Sequence, residues 1–571
     1  MSELVIGSRR PNRHPRLRSA GIAAVLLLLA CLVSYLVFQR LVSYREPDGP
    51  MPSGRVEARG EGQLAWSDAC TLAHRGGIAV LRAVGKPHTL GACHGRLLGA
   101  AVARASAPLG RAIEAAVSPG GFFGRMFGSA RLRWRLRLID DAMPGGQITE
   151  VAGVVHGADR AAGAAPGFEE LVRVQAALDI GEPVPASPGM AYGAVARGLS
   201  FALGSGKAGE AGGGARLVVG RSFSLLGAGD GGDAASGAPV VAFVRPDQAI
   251  PFASVTWPGM VGAVTGINAE GIAVLLHPAP ASDVRLTRAA QPTPLVVRDV
   301  LERAHSLDEA VKIIEQAAPL GAAGFFLADG KGQVAWIERS PGRTRVVRGP
   351  SPAVGGDFFI TEPFLDDADC DRARRTRPSA ARVARAAELA RRAPVPSAEQ
   401  AIAILRDVSG AAGAPLPAGH RAAIDDGEAV HSVVIDPIDM LLWVADGRGP
   451  GARFRAFDLA AELKGASGRT APADVPADPS RDGAVAAQLA AARAELRGAR
   501  STGSVSAARE LAAHALARRP DLPEALLLAG QLARRDGDQA GAAALFRRYL
   551  ELGPDDLAAE EQVRAFAADA Q

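Results

Sequence analysis

Ser200 is the first residue whose chemistry attracts attention. It stands in the apolar stretch Leu-Ser-Phe-Ala-Leu at 199–203, which is entered through Gly198 and left through a glycine turn. Such a stretch predicts a short buried strand. A serine hydroxyl there can act as a nucleophile if a neighbouring group takes its proton. A small, hydrogen-bonded packing residue is the other interpretation.

Cys93 and His94 are adjacent, which suggests a nucleophile beside a base. Glycines on both sides favour instead a turn-to-helix junction, where they permit close packing. The four cysteines, at positions 31, 70, 93 and 370, are not spaced as in a metal-binding knuckle, so they predict no metal site. We expect no cofactor either. A disulfide between Cys70 and Cys93 is one possibility in an oxidising compartment, but spacing alone does not pair them.

Length and composition indicate how many domains the chain forms and which partners it binds. A chain of 571 residues with 48% apolar residues is too long for one ordinary domain and can bury a large core. The net charge is only +4, and five arginines crowd the first eighteen residues, so the remainder is close to neutral. This balance gives no electrostatic basis for a nucleic-acid partner.

Residues 19–38 carry no charge over about the 20 residues that a helix needs to cross a bilayer. We therefore expect a basic cytoplasmic tail at 1–18 and a single transmembrane helix in the inner (cytoplasmic) membrane. Because basic flanks tend to stay cytoplasmic, the main domains should be periplasmic or extracellular. A cleaved signal peptide and lipidation at Cys31 are the alternatives.

The rest of the chain divides by pattern. Residues 39–63 and 461–483 are rich in proline, glycine and charge and predict linkers. Residues 64–460 alternate apolar strands with helical stretches, which indicates a mixed α and β domain. Residues 484–571 are helical, and landmarks such as Leu511 and Leu545 recur at a spacing of 34. This spacing resembles the tetratricopeptide repeat, serving as a weak docking module for a protein partner or as a C-terminal brace.

Several motifs between Leu64 and Leu459 follow one another in a specific order. They are residues 217–223, 251–274, 358–364, 379–390, 401–410 and 431–450. Together they resemble the penicillin acyltransferase-like cysteine peptidases, which are N-terminal-nucleophile hydrolases related to acyl-CoA:6-aminopenicillanic acid acyltransferase. The resemblance implies an α+β fold in which two antiparallel sheets stack face to face with helices outside, a four-layer αββα sandwich. Residues 85–102 resemble a family segment that does not hold the nucleophile, which argues against Cys93 in that role.

The resemblance implies a particular chemistry. A family proenzyme cleaves itself before a Cys, Ser or Thr, and the freed α-amino group then takes the nucleophile's proton. An asparagine amide donates to the developing oxyanion, while an arginine and an aspartate hold the nucleophile and the amine. The substrates so implied are amides or lipid amides, with an acyl or amide small molecule as the ligand.

Only some of the family's functional residues have counterparts in this sequence. Arg221 matches the family arginine, and Asn268 matches the oxyanion-side asparagine, although an asparagine that tolerates a positive φ in a hairpin is a comparable interpretation. Glu362 stands where the family has a second asparagine, and Ser224 stands where it has the aspartate.

The nucleophile position reads Gly198 or Leu199, depending on whether the family motif is aligned back from Phe201 or forward from the glycine. Neither residue has a nucleophilic atom. Ser200 could replace the nucleophile after a one-residue shift, which would turn the side chain to the opposite face of the strand. We therefore expect a degenerate member with a binding or scaffold role. The alternatives are an active hydrolase or acyltransferase that uses Ser200, and a structural protein without a ligand.

Overall fold

The structure is a computed structural model of the full chain. It describes residues 15–569 except 61, 68, 118–121, 163–165, 181–195, 206–215, 226–238, 286–288, 350–352, 394, 468–469, 471, 503 and 555–556. The glycine-rich segment that follows the Ser200 strand lies outside the described residues. The chain divides into two compact units, one ending at Arg45 and the other running from Glu46 to the C-terminus.

The helices of the described part are, in chain order, α1 Pro15–Val42, α2 Pro87–Val117, α3 Phe122–Arg135, α4 Ile139–Ala142, α5 Gly145–Ala162, α6 Phe168–Gln175, α7 Thr293–Arg303, α8 Leu307–Gln316, α9 Ala368–Thr376, α10 Ser379–Arg392, α11 Ala398–Leu405, α12 Leu459–Lys464, α13 Gly483–Ser501, α14 Val505–Arg518, α15 Pro523–Arg535, α16 Gln539–Glu551 and α17 Leu557–Asp569.

The strands are β1 Glu57–Arg59, β2 Gln63–Ala65, β3 Cys70–Arg75, β4 Ile78–Gly85, β5 Ala196–Ser205, β6 Arg216–Leu225, β7 Val240–Pro246, β8 Phe252–Thr256, β9 Thr265–Asn268, β10 Ala273–Pro278, β11 Ala323–Ala328, β12 Val334–Arg339, β13 Thr344–Gly349, β14 Val354–Gly356, β15 His431–Asp436, β16 Leu441–Ala445 and β17 Phe454–Asp458. β1 already pairs with β2 inside the segment that the composition predicts as a linker.

The described strands form two sheets. The larger has the order β1-β2-β3-β4-β7-β8-β9-β10-β11-β12-β13, and the smaller has the order β14-β5-β6-β15-β16-β17. The larger sheet is antiparallel apart from the parallel pair β4 and β7, and the smaller sheet is antiparallel throughout. The parallel pair joins distant parts of the chain, because helices α2 to α6 and strands β5 and β6 lie between β4 and β7 in sequence.

The two sheets stack face to face. Their shared core contains Val241, Leu275 and Phe326 from the larger sheet and Val219 and Val433 from the smaller one. On its other face the smaller sheet packs against α10 and α11, with Phe201, Ala386 and Ile402 in one cluster. Helices α2, α7 and α8 cover the outer face of the larger sheet. The predicted four-layer αββα arrangement is confirmed.

Helices α2 and α5 pack unusually closely through glycines. A β-carbon added at Gly91 or Gly95 of α2 would stand 1.9 to 2.0 Å from a carbonyl oxygen of α5. The same addition at Gly153 or Gly157 of α5 would meet a carbonyl oxygen of α2 at 2.2 to 2.4 Å. No side chain fits between backbones that approach this closely, so these four positions require glycine.

Cys70 on β3 and Cys93 on α2 form a disulfide that fastens this helix layer to the sheet. Cys93 is therefore not a free thiol and is not available as a nucleophile. Cys370 is buried and free, and Cys31 is exposed on α1. Residues Gly21–Val42 of α1 are long and apolar enough to cross a membrane, although an N-terminal signal sequence would pass the same test.

The C-terminal helices pack against the sandwich. Arg493 of α13 donates to the backbone carbonyls of Gly419 (2.5 Å) and Asp426 (2.6 Å), in the loop that leads into β15. Its Nε also donates to Glu524 of α15 at 3.0 Å. The starts of α14 and α16, and those of α15 and α17, are each 34 residues apart, as the sequence repeat predicts. That these pairs are tetratricopeptide units stays a prediction.

Part of the segment predicted as the second linker packs on the small sheet. Val475 exchanges both backbone hydrogen bonds with Phe454 of β17. Asp474 beside it pairs with Arg455 at 3.0 Å and with Arg75 at 2.9 Å. The proline- and aspartate-rich composition predicted a free linker here. The contacts could not be foreseen, because the ion-pair partners of Asp474 are distant in sequence.

Candidate functional site

Ser200 points into the space between the two sheets. Its neighbour at i+2 on β5, Ala202, belongs to the core shared by both sheets, whereas Leu199 and Phe201 face α10 and α11. Since side chains alternate along a strand, Gly198 and Ser200 share the inner face. The structure thus places Leu199, one of the two residues at the predicted nucleophile position, on the face away from the sandwich interior.

A three-residue cluster forms around the Ser200 hydroxyl. Arg221 lies directly opposite Ser200 in the β5–β6 register, and His277 reaches across from β10 of the other sheet. Ser200 Oγ lies 2.9 Å from His277 Nε2 and 3.4 Å from Arg221 Nη1. Arg221 Nη1 is 3.2 Å from the same His277 nitrogen, and Nη2 donates to the carbonyl of Leu276 at 2.6 Å. All three side chains are fully buried.

The donors in this cluster fix the tautomer of His277. A guanidinium can only donate, so His277 Nε2 must accept from Arg221, and it can also accept from the Ser200 hydroxyl. The proton of the neutral ring is then on Nδ1, which faces the backbone of Gly198. Burial, and secondly the charge of Arg221, hold the pKa of His277 well below its ordinary value.

Gly198 leaves the room that the His277 ring occupies. A β-carbon at Gly198 would stand 3.0 Å from His277 Nδ1 and 3.3 Å from Cε1. This is closer than ordinary van der Waals contact, so a β-carbon at the position would require the imidazole to move by a few tenths of an ångström. His277 also stands edge-on to Trp336, with 5.6 Å between ring centroids, which limits how far the ring can move.

Arg221 has no ion-pair partner among the residues that the structure describes. Burial lowers its pKa to about 9. Its guanidinium lies over the ring of Phe223 at 4.9 Å, a cation–π contact. Ser224 stands where the sequence resemblance predicts an aspartate beside this arginine, and its side chain faces the helix layer, as that of Val218 does on the same strand. The cation is therefore held by neutral groups.

A second buried histidine lies in the same inter-sheet layer. His431 opens β15 and stacks on Phe223 with 5.0 Å between ring centroids. Its Nε2 lies 3.0 Å from the hydroxyl of Thr265 on β9. Burial, and secondly Arg221, hold the pKa of His431 well below its ordinary value. Two neutral imidazoles thus surround one guanidinium.

Asn268 is not brought to this cluster. Its amide donates to the carbonyls of Leu301 and Ala304, at the end of α7, at 3.2 and 2.8 Å. Its side-chain oxygen accepts from the backbone of Glu270 and Ile272 within its own hairpin, at 3.1 and 3.0 Å. Every hydrogen-bonding group of the amide is thus used in joining a turn to a helix, as the hairpin interpretation expects.

Glu362 is exposed in the turn between β14 and α9, whereas Ser200, Arg221 and His277 are fully buried. Of the four predicted site residues, the structure therefore brings together Ser200 and Arg221 only. No group of three or more metal-ligating side chains occurs among the residues described.

Sequence reasoning missed His277. The residue stands in the run Gly-Ile-Ala-Val-Leu-Leu-His-Pro, where the apolar residues conceal a single ionisable group on the inner face of β10. Counting by two from Ala273 and Leu275, which lie in the inter-sheet core, places His277 on that face. The alternation was a usable signal, but the contact with β5 depends on how the two sheets stack.

The region around His277 also has a recognisable sequence. Residues 241–448 match the model of the acyl-coenzyme A:6-aminopenicillanic acid acyl-transferase family. These residues are therefore similar to that family. The acyl-transferase match includes His277 and His431, and it begins after β5 and β6, which carry Ser200 and Arg221. The family resemblance predicted from the sequence is confirmed.

Several solved structures are similar to this chain. The N-acylethanolamine-hydrolyzing acid amidase ortholog of Caenorhabditis elegans is 16% identical, with 42% of this chain and 93% of that one covered and a TM-score of 0.29. Penicillin V acylase from Agrobacterium tumefaciens is 17% identical, with 47% of this chain and 78% of that one covered and a TM-score of 0.25. A mutant conjugated bile acid hydrolase from Clostridium perfringens is 10% identical, with 48% of this chain and 96% of that one covered and a TM-score of 0.30. No protein with a curated description matches the sequence.

Proposed function

We propose that this chain is a membrane-anchored acyl-transferase family member that has lost turnover and acts as a binding or scaffold domain. The observation that carries the proposal is the packing of the His277 ring against Gly198. In the family pattern the nucleophile falls at Gly198 or Leu199, and neither has a nucleophilic atom. The imidazole fills the adjoining space, so a nucleophilic side chain at Gly198 would need a different arrangement of His277.

The neighbouring replacements support the same proposal. The family aspartate corresponds to Ser224, which faces away from Ser200, and the second family asparagine corresponds to Glu362, which is exposed. Arg221 keeps its place but is held by neutral partners. A reaction that depends on several polar groups acting together loses most of its rate when one is removed, so joint replacement fits abandoned chemistry.

A serine hydrolase is the second candidate, and the Ser200–His277 distance of 2.9 Å favours it. His277 Nε2 would take the hydroxyl proton while Ser200 Oγ attacks an amide carbonyl, without self-cleavage. The energetics oppose this step. Protonating Nε2 places a second cation beside Arg221 in a buried site, and a base whose pKa lies well below neutrality is a weak proton acceptor.

Probe labelling and intact mass separate the two candidates. For the noncatalytic protein we expect one uncut chain with no covalent adduct after a fluorophosphonate or β-lactone probe. Labelling of the native protein that is lost in both Ser200→Ala and His277→Ala would establish the serine hydrolase instead. Ser432→Ala is the matched control, because Ser432 is equally buried on β15 but faces the helix layer. Two chains separated at residues 198–200 would overturn the noncatalytic proposal as well.

We further propose that α1 anchors the chain in the inner membrane with the second unit facing outward. The arginines before residue 19 support this orientation. Protease added to spheroplasts should then degrade the unit that begins at Glu46, whereas protection until the membrane is lysed would reverse the orientation. A soluble protein that starts after residue 38 would identify α1 as a cleaved signal peptide.

The ligands of the noncatalytic domain are also proposals. An acyl or amide small molecule, bound without turnover, is the ligand class that the family fold supports. The C-terminal helices could hold a protein partner, but their contacts with the loop before β15 favour a brace. Deleting residues 505–571 tests this: loss of the fold supports the brace, and loss of a co-purifying protein from a folded domain supports docking.

A further inference from the structure

Helix α3 presents an exposed face of unusual composition. Phe127 and Trp134, seven residues apart on the same side of the helix, are 59% and 42% exposed. Arg131 lies between them and is also exposed. The opposite side carries Leu132 and, just beyond the helix, Leu136, both buried. The helix is therefore packed on the domain by one apolar stripe and presents a second stripe of aromatic and basic residues.

The basic residues on this face lack acidic partners. No ion pair of Arg131 or Arg135 occurs among the described residues, whereas Arg133 pairs with Glu169 at 3.5 Å. Arg131 and Arg135 are one turn apart, and like charges at this spacing repel each other. Burial, and secondly the charge of Arg131, lower the pKa of Arg135. Two guanidinium groups one turn apart, with no counter-ion in the part of the chain that the structure describes, form a site that an anion would stabilise.

A third arginine orders the exposed tryptophan. The guanidinium carbon of Arg137 lies 4.1 Å from the centre of the Trp134 ring, and its Nη1 donates to the Trp134 carbonyl at 2.8 Å. The indole is thus held in place with one face against a cation. Aromatic rings combined with arginines are characteristic of helices that lie in the headgroup region of a bilayer.

We propose that the α3 face formed by Phe127, Arg131, Trp134 and Arg135 docks on the surface of an anionic lipid bilayer. The two aromatic side chains enter the boundary between headgroups and acyl chains, and the two arginines contact lipid phosphates.

A bilayer fits this face better than an acidic protein does. The chain already carries an apolar helix that is long enough to cross a membrane, at Gly21–Val42, only a few residues before the second unit begins. Tethering raises the local concentration of lipid, so a patch too weak to bind membranes alone is sufficient. A protein partner would need a far larger apolar surface than two aromatic side chains supply.

Tryptophan fluorescence gives a direct test on the full chain. The other four tryptophans, Trp66, Trp257, Trp336 and Trp443, are at most 8% exposed, so Trp134 is the one that brominated acyl chains should quench. The chain is reconstituted with phosphatidylcholine alone or mixed with phosphatidylglycerol, each with brominated chains. We expect quenching mainly in the phosphatidylglycerol mixture, decreasing at high salt, and absent in Trp134→Phe.

Charge variants complete the test. Arg131→Gln should weaken the docking equilibrium about fivefold in the anionic mixture, since one arginine near such a surface contributes about that factor. Arg372→Gln, a basic helix residue that already pairs with Asp369, is the control and should change nothing. Equal quenching in both lipids, quenching that persists in Trp134→Phe, or no quenching at all would overturn the proposal.

Discussion

The imidazole of His277 lies within 3.0 Å of the point where a β-carbon at Gly198 would stand, although the two residues belong to different sheets. The contact joins β10 to β5, the strand on which the sequence predicts the family's nucleophile position. It gives a physical reason for the glycine at that position, since the ring and any side chain at Gly198 compete for one volume.

The first prediction concerns the Gly198–His277 contact itself. Gly198→Ala should destabilise the protein by about 1–3 kcal/mol, because the added methyl group overpacks a site that Trp336 also confines. Chemical denaturation of Gly198→Ala, His277→Ala and the double variant gives the coupling energy. We expect the double variant to be more stable than the sum of the single effects predicts.

Gly349→Ala supplies the control, because Gly349 ends strand β13 with no atom within 4 Å of its added β-carbon. If the effects of Gly198→Ala and His277→Ala on the unfolding free energy simply add in the double variant, the ring does not occupy the space beside Gly198. The noncatalytic proposal would then lose its main support.

The second prediction concerns the glycines between α2 and α5. Gly153→Ala places a methyl group 2.2 Å from a backbone oxygen of α2, so the helices must separate, at a cost of about 1–3 kcal/mol or more. Gly145→Ala in the same helix meets nothing within 4 Å and should be neutral or stabilising by up to about 1 kcal/mol. Thermal unfolding of both variants measures the difference. Equal melting temperatures would show that the two helices do not pack this closely.

These glycines and the Ser200 cluster show what the sequence could and could not predict. Strand alternation and glycine turns are local signals and predicted a mixed α and β domain. The order of six motifs predicted the sandwich only through the resemblance to a known family. The direction of Ser200 also follows from alternation along β5. The partner of Ser200 does not, since His277 is 77 residues away and comes from the other sheet.

Asn268 is a residue that the sequence predicted for the site but that the structure places elsewhere. Its motif matches the family, but the role of an amide depends on what lies within hydrogen-bonding distance, and here α7 lies there. Likewise, composition predicted a free linker where Asp474 pairs with Arg75 and Arg455. Ion pairs between segments far apart in sequence leave no local pattern.

The third prediction concerns acid stability. Burial, and secondly Arg298, lower the pKa of His94 to about 4 in the folded protein, against about 6.5 when unfolded. Because the folded pKa is depressed, stability is retained above pH 6.5 and falls as the pH drops from 6.5 towards 4. For this one group the loss is about 1.4 kcal/mol per pH unit.

His94→Gln isolates the contribution of His94. A glutamine oxygen can still accept the Gly259 amide hydrogen, which His94 Nε2 accepts at 2.8 Å, but it does not titrate. The difference in unfolding free energy between native and variant protein should therefore shrink or reverse between pH 7 and pH 5. A difference that is constant across this range would show that His94 is not a buried neutral histidine.

The last prediction concerns the C-terminal brace. Arg493 is 5% exposed and forms an ion pair with Glu524. Its Nε also lies 3.6 Å from Glu428, which in turn pairs with Arg197 on β5. Arg493→Ala leaves the buried carboxylate of Glu524 and the half-buried one of Glu428 with one cation fewer, so we expect a loss of about 3–5 kcal/mol. The sandwich and the helices should unfold in one transition, because this network spans both.

Arg564→Ala is the matched control, since it removes an exposed pair with Glu560 on α17, and such pairs contribute no more than about 0.5 kcal/mol. Differential scanning calorimetry distinguishes the outcomes. If Arg493→Ala lowers only a separate, minor transition and leaves the main one unchanged, the helices form an independent module, and the docking interpretation replaces the brace. A single transition shifted to lower temperature means that the helices hold the loop before β15, and through Glu428 the start of the strand that carries Ser200.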